Sequence, residues 1–207
     1  MSLDLAATSF VTLFVIIDPI GLTPLFLALT RGMSQKQRRL IGARALAVSL
    51  ALLALFGFAG EALLAGVGIG MPAFRIAGGL LLFLTAMDML FERRQERREK
   101  STQKEDALPD PTVFPLATPL IAGPGALATM VLLIGQHPGD AMAQLTVYAM
   151  MVVVLAIIFV MFLASGLIER LLGQTGITVV TRLLGMLLAA LSVQFVLEGL
   201  REFGFGA

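Results

Sequence analysis

The stretch IIDPIGLTPLF, residues 16–26, decides how this chain folds. It sets an aspartate and two prolines inside a long apolar run. A proline within a helix removes a backbone hydrogen bond and clashes with the preceding turn, at a cost of roughly 3 kcal/mol. A carboxylate in the same run is costly unless it is capped, paired or used. The order of the residues supplies a reason. Asp18 is a favoured N-cap and stands directly before Pro19, which suits the first position of a helix. The pair therefore reads as the start of a second half-helix in mid-run.

Outward from that break the chain is mostly apolar. Of its 207 residues 57% are hydrophobic and 14% charged, more apolar surface than a soluble domain can bury, so the bilayer is the expected solvent. Six runs are long enough to span it, at about 6–30, 40–60, 71–91, 113–136, 142–168 and 178–200. There is no cysteine, hence neither a disulfide nor a thiolate metal site. The opening MSLDLAATSF lacks the basic region of a cleaved signal, so the first span is expected to be retained.

The charges orient the spans. Arg31, Lys36, Arg38, Arg39 and Arg44 follow span one. Arg93, Arg94, Arg97, Arg98, Lys100 and Lys104 follow span three, and Arg170 and Arg182 flank the connection between spans five and six. With six spans these groups share one side, and they hold 13 of the 15 basic residues. The positive-inside rule makes that side cytoplasmic and turns both termini outward.

The segment ERRQERREKSTQKEDALPDP, 92–111, has six basic and six acidic residues and reads as a solvated hinge. It offers no net basic patch for nucleic acid. It divides the chain into a first three-span unit, 1–91, a charged linker, 92–112, and a second three-span unit, 113–207. The units resemble each other. Setting Pro19 on Pro124 lays IIDPIG beside IAGPGA, and an offset only two residues larger pairs Arg75 with Arg182. Three is an odd number of spans, so the second unit must run inverted. The predicted fold is an all-α membrane protein of six helices in two inverted three-helix repeats, with helices one and four interrupted.

Five of the nine prolines, Pro19, Pro24, Pro115, Pro119 and Pro124, lie in spans one and four. Broken backbone must be buried in protein or line a wet cavity, so these two spans belong at the centre. A half-helix start offers unpaired N–H groups and about half a positive charge. Gly125 and Ala126 could present such groups beside Gly123, which has no side chain to neutralise them and suits an external carboxylate. Asp18 supplies the opposite sign. One end for an anion and one for a cation would suit a zwitterion. The candidate substrate-binding residues are Asp18, Pro19, Gly21, Thr23, Pro119, Gly123, Pro124, Gly125 and Ala126. Asp18 and Asp88 are the candidate ion-coupling carboxylates.

Plainer roles compete with each. Asp18 as a cap, the Pro-Gly breaks as packing kinks and Asp88 as an interfacial carboxylate are all ordinary. Gln194 reads as interhelical glue, IAGGLLLF (76–83) as a close-packing face, and His137, the one histidine, as a turn residue.

Four motifs together, DPIGLTPLF in span one, RIAGGLLLFLTAMDML in span three, FPLATPLIAGPGALATM in span four and RLLGMLLAALSVQF in span six, resemble the MarC family. They cover nearly the whole chain in the family's order. The resemblance implies a six-span protein of a bacterial inner membrane, and transport of small neutral amino acids such as glycine or alanine. An older association with multiple antibiotic resistance implies, less directly, export of drugs. The family's motif residues fall on Asp18, Pro19, Gly21, Pro24, Pro119, Gly123, Pro124 and Gly125. The family often has asparagine after the Asp-Pro-x-Gly glycine where this chain has Leu22, which points to a different solute if that amide touches substrate.

The expected function is therefore secondary transport or export of small zwitterions, coupled to protons or sodium. Export of other small solutes and a non-transporting structural or regulatory role are the alternatives. No nucleophile–base pair or metal cluster lies in the spans, so an enzyme is not expected. No G-x-x-x-x-G-K-[ST] loop is present, and no cofactor or ATP drive is expected. The expected partners are a small solute and the lipid bilayer; the oligomeric state is left open.

Overall fold

A computed structural model describes residues 3–91, 93 and 111–205, apart from the side chain of residue 169. All but a few residues of the linker 92–112 lie outside the described residues. Among the described residues eight helical elements run in order: α1 (Leu3–Ile17), α2 (Pro19–Leu29), α3 (Gln35–Gly66), α4 (Met71–Leu90), an irregular α5 (Thr112–Ile121), α6 (Pro124–Gly135), α7 (Ala141–Leu163) and α8 (Ser165–Glu202). Five helical stretches among these residues are long and apolar enough to cross a membrane, α1 and α2 counting together as Leu3–Leu29. α5 and α6, bent by 55° at their junction, make a sixth if taken as one span.

Local chemistry sets the ends. α3 starts ten residues' worth of polar chain before its apolar run because Ser34 and Gln37 close a reciprocal cap, with Ser34 N–H donating to Gln37 Oε1 at 2.9 Å. Asp140 caps α7, its Oδ1 accepting from Met142 N and Ala143 N at 3.1 and 3.0 Å. The connection expected at about 169–177 contains a backbone break, at Gly173, where φ is 60° and ψ 178°. On either side of it the chain is helical, and at Ala164, between α7 and α8, the backbone departs only slightly from helix, with φ −93° and ψ 9°.

The first crossing is the centre of the bundle. Its most apolar stretch is 67% buried, against 28–39% for the other four long helices. Without a hydrophobic force between helices in lipid, association rests on close packing, and glycine permits it. α4 and α8 lie antiparallel along three glycines. A Cβ on Gly79 would come within 2.8 Å of Ser192 O, on Gly185 within 2.9 Å of Met89 Cβ, and on Gly199 within 2.9 Å of Pro72 O. Gly60 likewise brings α3 onto Val131 of α6, and Gly78 brings α4 onto Leu132.

The halves interlock. α3, from the first, packs on α5 and α6; α7, from the second, packs on α1 and α2. At the far end of α2 the rings of Phe26 and Phe162 stack at 4.1 Å, 3° from parallel, over Gly42.

Candidate functional site

The first break is one residue wide. Asp18 has φ 60° and ψ 67°, a left-handed conformation that aspartate tolerates better than most side chains. Backbone bonding runs through it, since Asp18 N donates to Phe14 O and Leu22 N donates to Asp18 O, each at 3.0 Å. The carboxylate folds back over the first turn of α2, where Oδ1 accepts from Gly21 N at 3.0 Å. This explains the glycine of the Asp-Pro-x-Gly motif: a Cβ at Gly21 would overlap Asp18 Oδ2. Thr23 Oγ1 donates to Pro19 O at 2.8 Å. Asp18, Pro19, Gly21 and Thr23 are all buried, Asp18 to 1% exposure.

The second break is longer. Phe114 and Thr118 are extended, each directly before a proline, and Ala122 N–H reaches back five residues to Ala117 O at 2.8 Å. Ser49 of α3 steadies the turn, its Oγ lying 2.9 Å from Ala45 O and 3.5 Å from Ala117 O. Gly123 is the N-cap of α6 and Pro124 follows it. Leu127 N–H closes the first intrahelical bond, to Gly123 O at 3.0 Å, so Gly125 and Ala126 carry N–H groups of the kind a helix start leaves unpaired. The place of Gly123 is dictated by its own chain, because a Cβ there would lie 2.5 Å from Pro119 O. Pro119 and Pro124 are exposed, Gly123 and Gly125 half-buried and Ala126 buried.

The two breaks meet. A Cβ on Gly125 would stand 3.0 Å from Ile16 Cδ1 and 3.7 Å from Leu82 Cδ2. The start of α6 thus abuts the end of α1, two residues short of Asp18, with α4 alongside.

The other predicted residues sit elsewhere. Asp88 is six residues beyond Leu82 on α4, about 9 Å along the helix. Gln194 donates along its own helix to Glu198 Oε1 at 2.9 Å, and Glu198 Oε2 makes the interhelical link by accepting from Gln136 Nε2 at 3.0 Å. His137 stands in the α6–α7 turn, its carbonyl accepting from Gln144 Nε2 at 3.1 Å. A cavity of about 310 Å³ lined by Glu61, Leu64, Ile69 and Met71 lies at the α3–α4 turn rather than at the breaks. Among the described residues no three His, Cys, Asp or Glu side chains could together hold a metal ion.

Sequence reasoning passed over several fully buried hydroxyls, among them Ser9 and Thr12 on α1 and Thr129 on α6. Thr12 and Thr129 donate to the carbonyls four residues back, at 2.7 and 2.8 Å. Ser9 Oγ has no hydrogen-bond partner. Their spacing from Ile16 and Gly125 was the available signal: residues 9, 12 and 16, and 125 and 129, fall on single helix stripes. It also passed over the ion pair between Arg75 of α4 and Glu202 of α8.

Residues 3–203 match the family of MarC integral membrane proteins. The chain is 37% identical over 195 residues to a UPF0056 membrane protein of Archaeoglobus fulgidus, covering 94% of this chain and 91% of that one. It is 36% identical over 194 residues to the UPF0056 inner membrane protein YhgN of Escherichia coli, covering 92% and 93%. A UPF0056 membrane protein of Methanocaldococcus jannaschii is 31% identical over 202 residues, covering 97% and 98%. No solved structure matches the chain.

Proposed function

The chain belongs to the MarC family of integral membrane proteins, and on that footing we propose that it is a secondary transporter or exporter of small, neutral, zwitterionic amino acids. One observation supports the reading, the contact of Gly125 with Ile16, which sets the first turn of α6 against the end of α1, two residues before the buried Asp18. A solute with an ammonium and a carboxylate on one carbon matches the two signs. Asp18 faces the ammonium or holds a coupling proton, while Gly125 and Ala126 N–H groups receive the carboxylate. Thr23, Pro19, Gly21 and Pro119 shape the walls.

The exposed edge at Pro119 and Pro124 supports an access route. Extended backbone at membrane depth is not tolerated against lipid, whereas a water-filled approach satisfies it. The interlocked packing supports two inverted repeats, 1–91 and 113–207, with spans one and four interrupted. A two-fold axis in the membrane plane would exchange the packing of α3 on α5–α6 with that of α7 on α1–α2, and would map the α4–α8 pair onto itself. We assign the protein to the bacterial inner membrane, both termini periplasmic and the 92–112 linker cytoplasmic. Asp88, away from the junction, serves coupling only as a relay.

Counterflow into proteoliposomes tests the reading. Vesicles preloaded with glycine or alanine and holding the purified protein should accumulate the labelled amino acid, and empty vesicles should not. Flux of a drug-like cation without amino-acid flux would favour the older resistance association. The absence of flux for any solute tried, from protein shown to be folded, would leave a structural or regulatory role.

A further inference from the structure

The segment after span one holds five cations, Arg31, Lys36, Arg38, Arg39 and Arg44, and the chain has no carboxylate between Asp18 and Glu61. Among the described residues none of the five has an ion-pair partner, and the buried Nε of Arg38 has no hydrogen-bond partner. Length fixes their depth. With 32 residues α3 is about 48 Å long, some 18 Å more than a hydrocarbon core of about 30 Å. Residues 45–60 carry no charge, so most of the surplus lies at the Gln35 end. Lys36 to Arg44 therefore stand at the level of the lipid headgroups. Lys36, Leu40 and Arg44, spaced four apart, form one exposed stripe with Arg39 beside it. The stripe runs on into the exposed, apolar Ala47 and Leu50. No acid occupies the first turn of α3, so an anion there gains from the helix dipole as well.

We propose that this face of α3 is a docking surface for an anionic phospholipid, its headgroup phosphate held by Lys36, Arg39 and Arg44 and its acyl chains laid along Leu40 and Leu50. The inference goes beyond transport and does not depend on it. Charge complementarity selects the occupant, because five cations stand in a stretch of chain, 19–60, that holds no carboxylate.

The test uses the full chain in nanodiscs of phosphatidylcholine with and without phosphatidylglycerol, with bound lipid read by native mass spectrometry. The wild type should prefer phosphatidylglycerol, and each of Lys36→Gln, Arg39→Gln and Arg44→Gln should lower that preference by roughly fivefold. Arg201→Gln, at the opposite end, should not change it. Melting in pure phosphatidylcholine checks that each variant is folded. An unchanged preference in folded variants overturns the proposal. So does complete competition by soluble glycerol phosphate, which would make the site one for free phosphate.

Discussion

Replacing Asp18 separates its two roles, because cap and charge can be removed one at a time. Asp18→Ala loses the bond to Gly21 N, worth about 1 kcal/mol. It also leaves φ 60° without the local side-chain bonding that lets aspartate tolerate the left-handed region, a further cost of about 1–2 kcal/mol. The sum is about 2–3 kcal/mol. Asp18→Asn keeps an acceptor for Gly21 N and tolerates the left-handed conformation, so it should cost about 0.5 kcal/mol or less. Asp18→Gly gives up the cap but relieves the backbone, and costs only a few tenths. Thermal melting in detergent should therefore place Asn and Gly close to wild type and Ala well below. Counterflow should place Asn and Gly together at the bottom, at least tenfold down, since both lack the charge. If Asp18→Asn transports like wild type at every pH tried, the carboxylate is a cap and nothing more. If Asp18→Ala melts with Asp18→Asn, the account of the break is wrong.

Three further outcomes are expected. Gly123→Ala should destabilise more than Gly125→Ala, because a Cβ at 123 meets the Pro119 carbonyl at 2.5 Å while one at 125 meets a movable isoleucine methyl at 3.0 Å; melting of the two variants side by side decides it. Glu202→Gln should cost more than Arg75→Met, since the first strands a guanidinium whose side chain is 6% exposed and the second leaves a carboxylate that is 42% exposed and can reach water; a double-mutant cycle on melting would expose equal costs and sink the argument. Reporter fusions should find the C-terminus outside and residues 92–111 inside, and a cytoplasmic C-terminus would reverse the charge-based orientation.

The helical elements follow from short-range chemistry. Runs of apolar residues long enough for a bilayer are a local property, as are an N-cap before a proline and a glycine that cannot cap. Helices accordingly start at Pro19, with Asp18 accepting from Gly21 N, and at Pro124 after an uncapped Gly123. Only the tertiary structure decided what each glycine and each polar group is against. Gly21 clears its own chain's carboxylate, Gly123 clears the Pro119 carbonyl, and Gly125 alone of the three lets two helices approach. Glu198, silent in the sequence, joins Gln194 to Gln136, and Arg75 finds Glu202 across 127 residues. The connection expected near 169–177 holds the break at Gly173, a residue that takes φ 60° without steric cost, but the helices on either side of it run on further than the apolar pattern indicates. Distances along a chain fix helices and their caps, because those bonds close within four or five residues. The partner across a helix interface is set by which faces meet, and that depends on every other helix in the bundle.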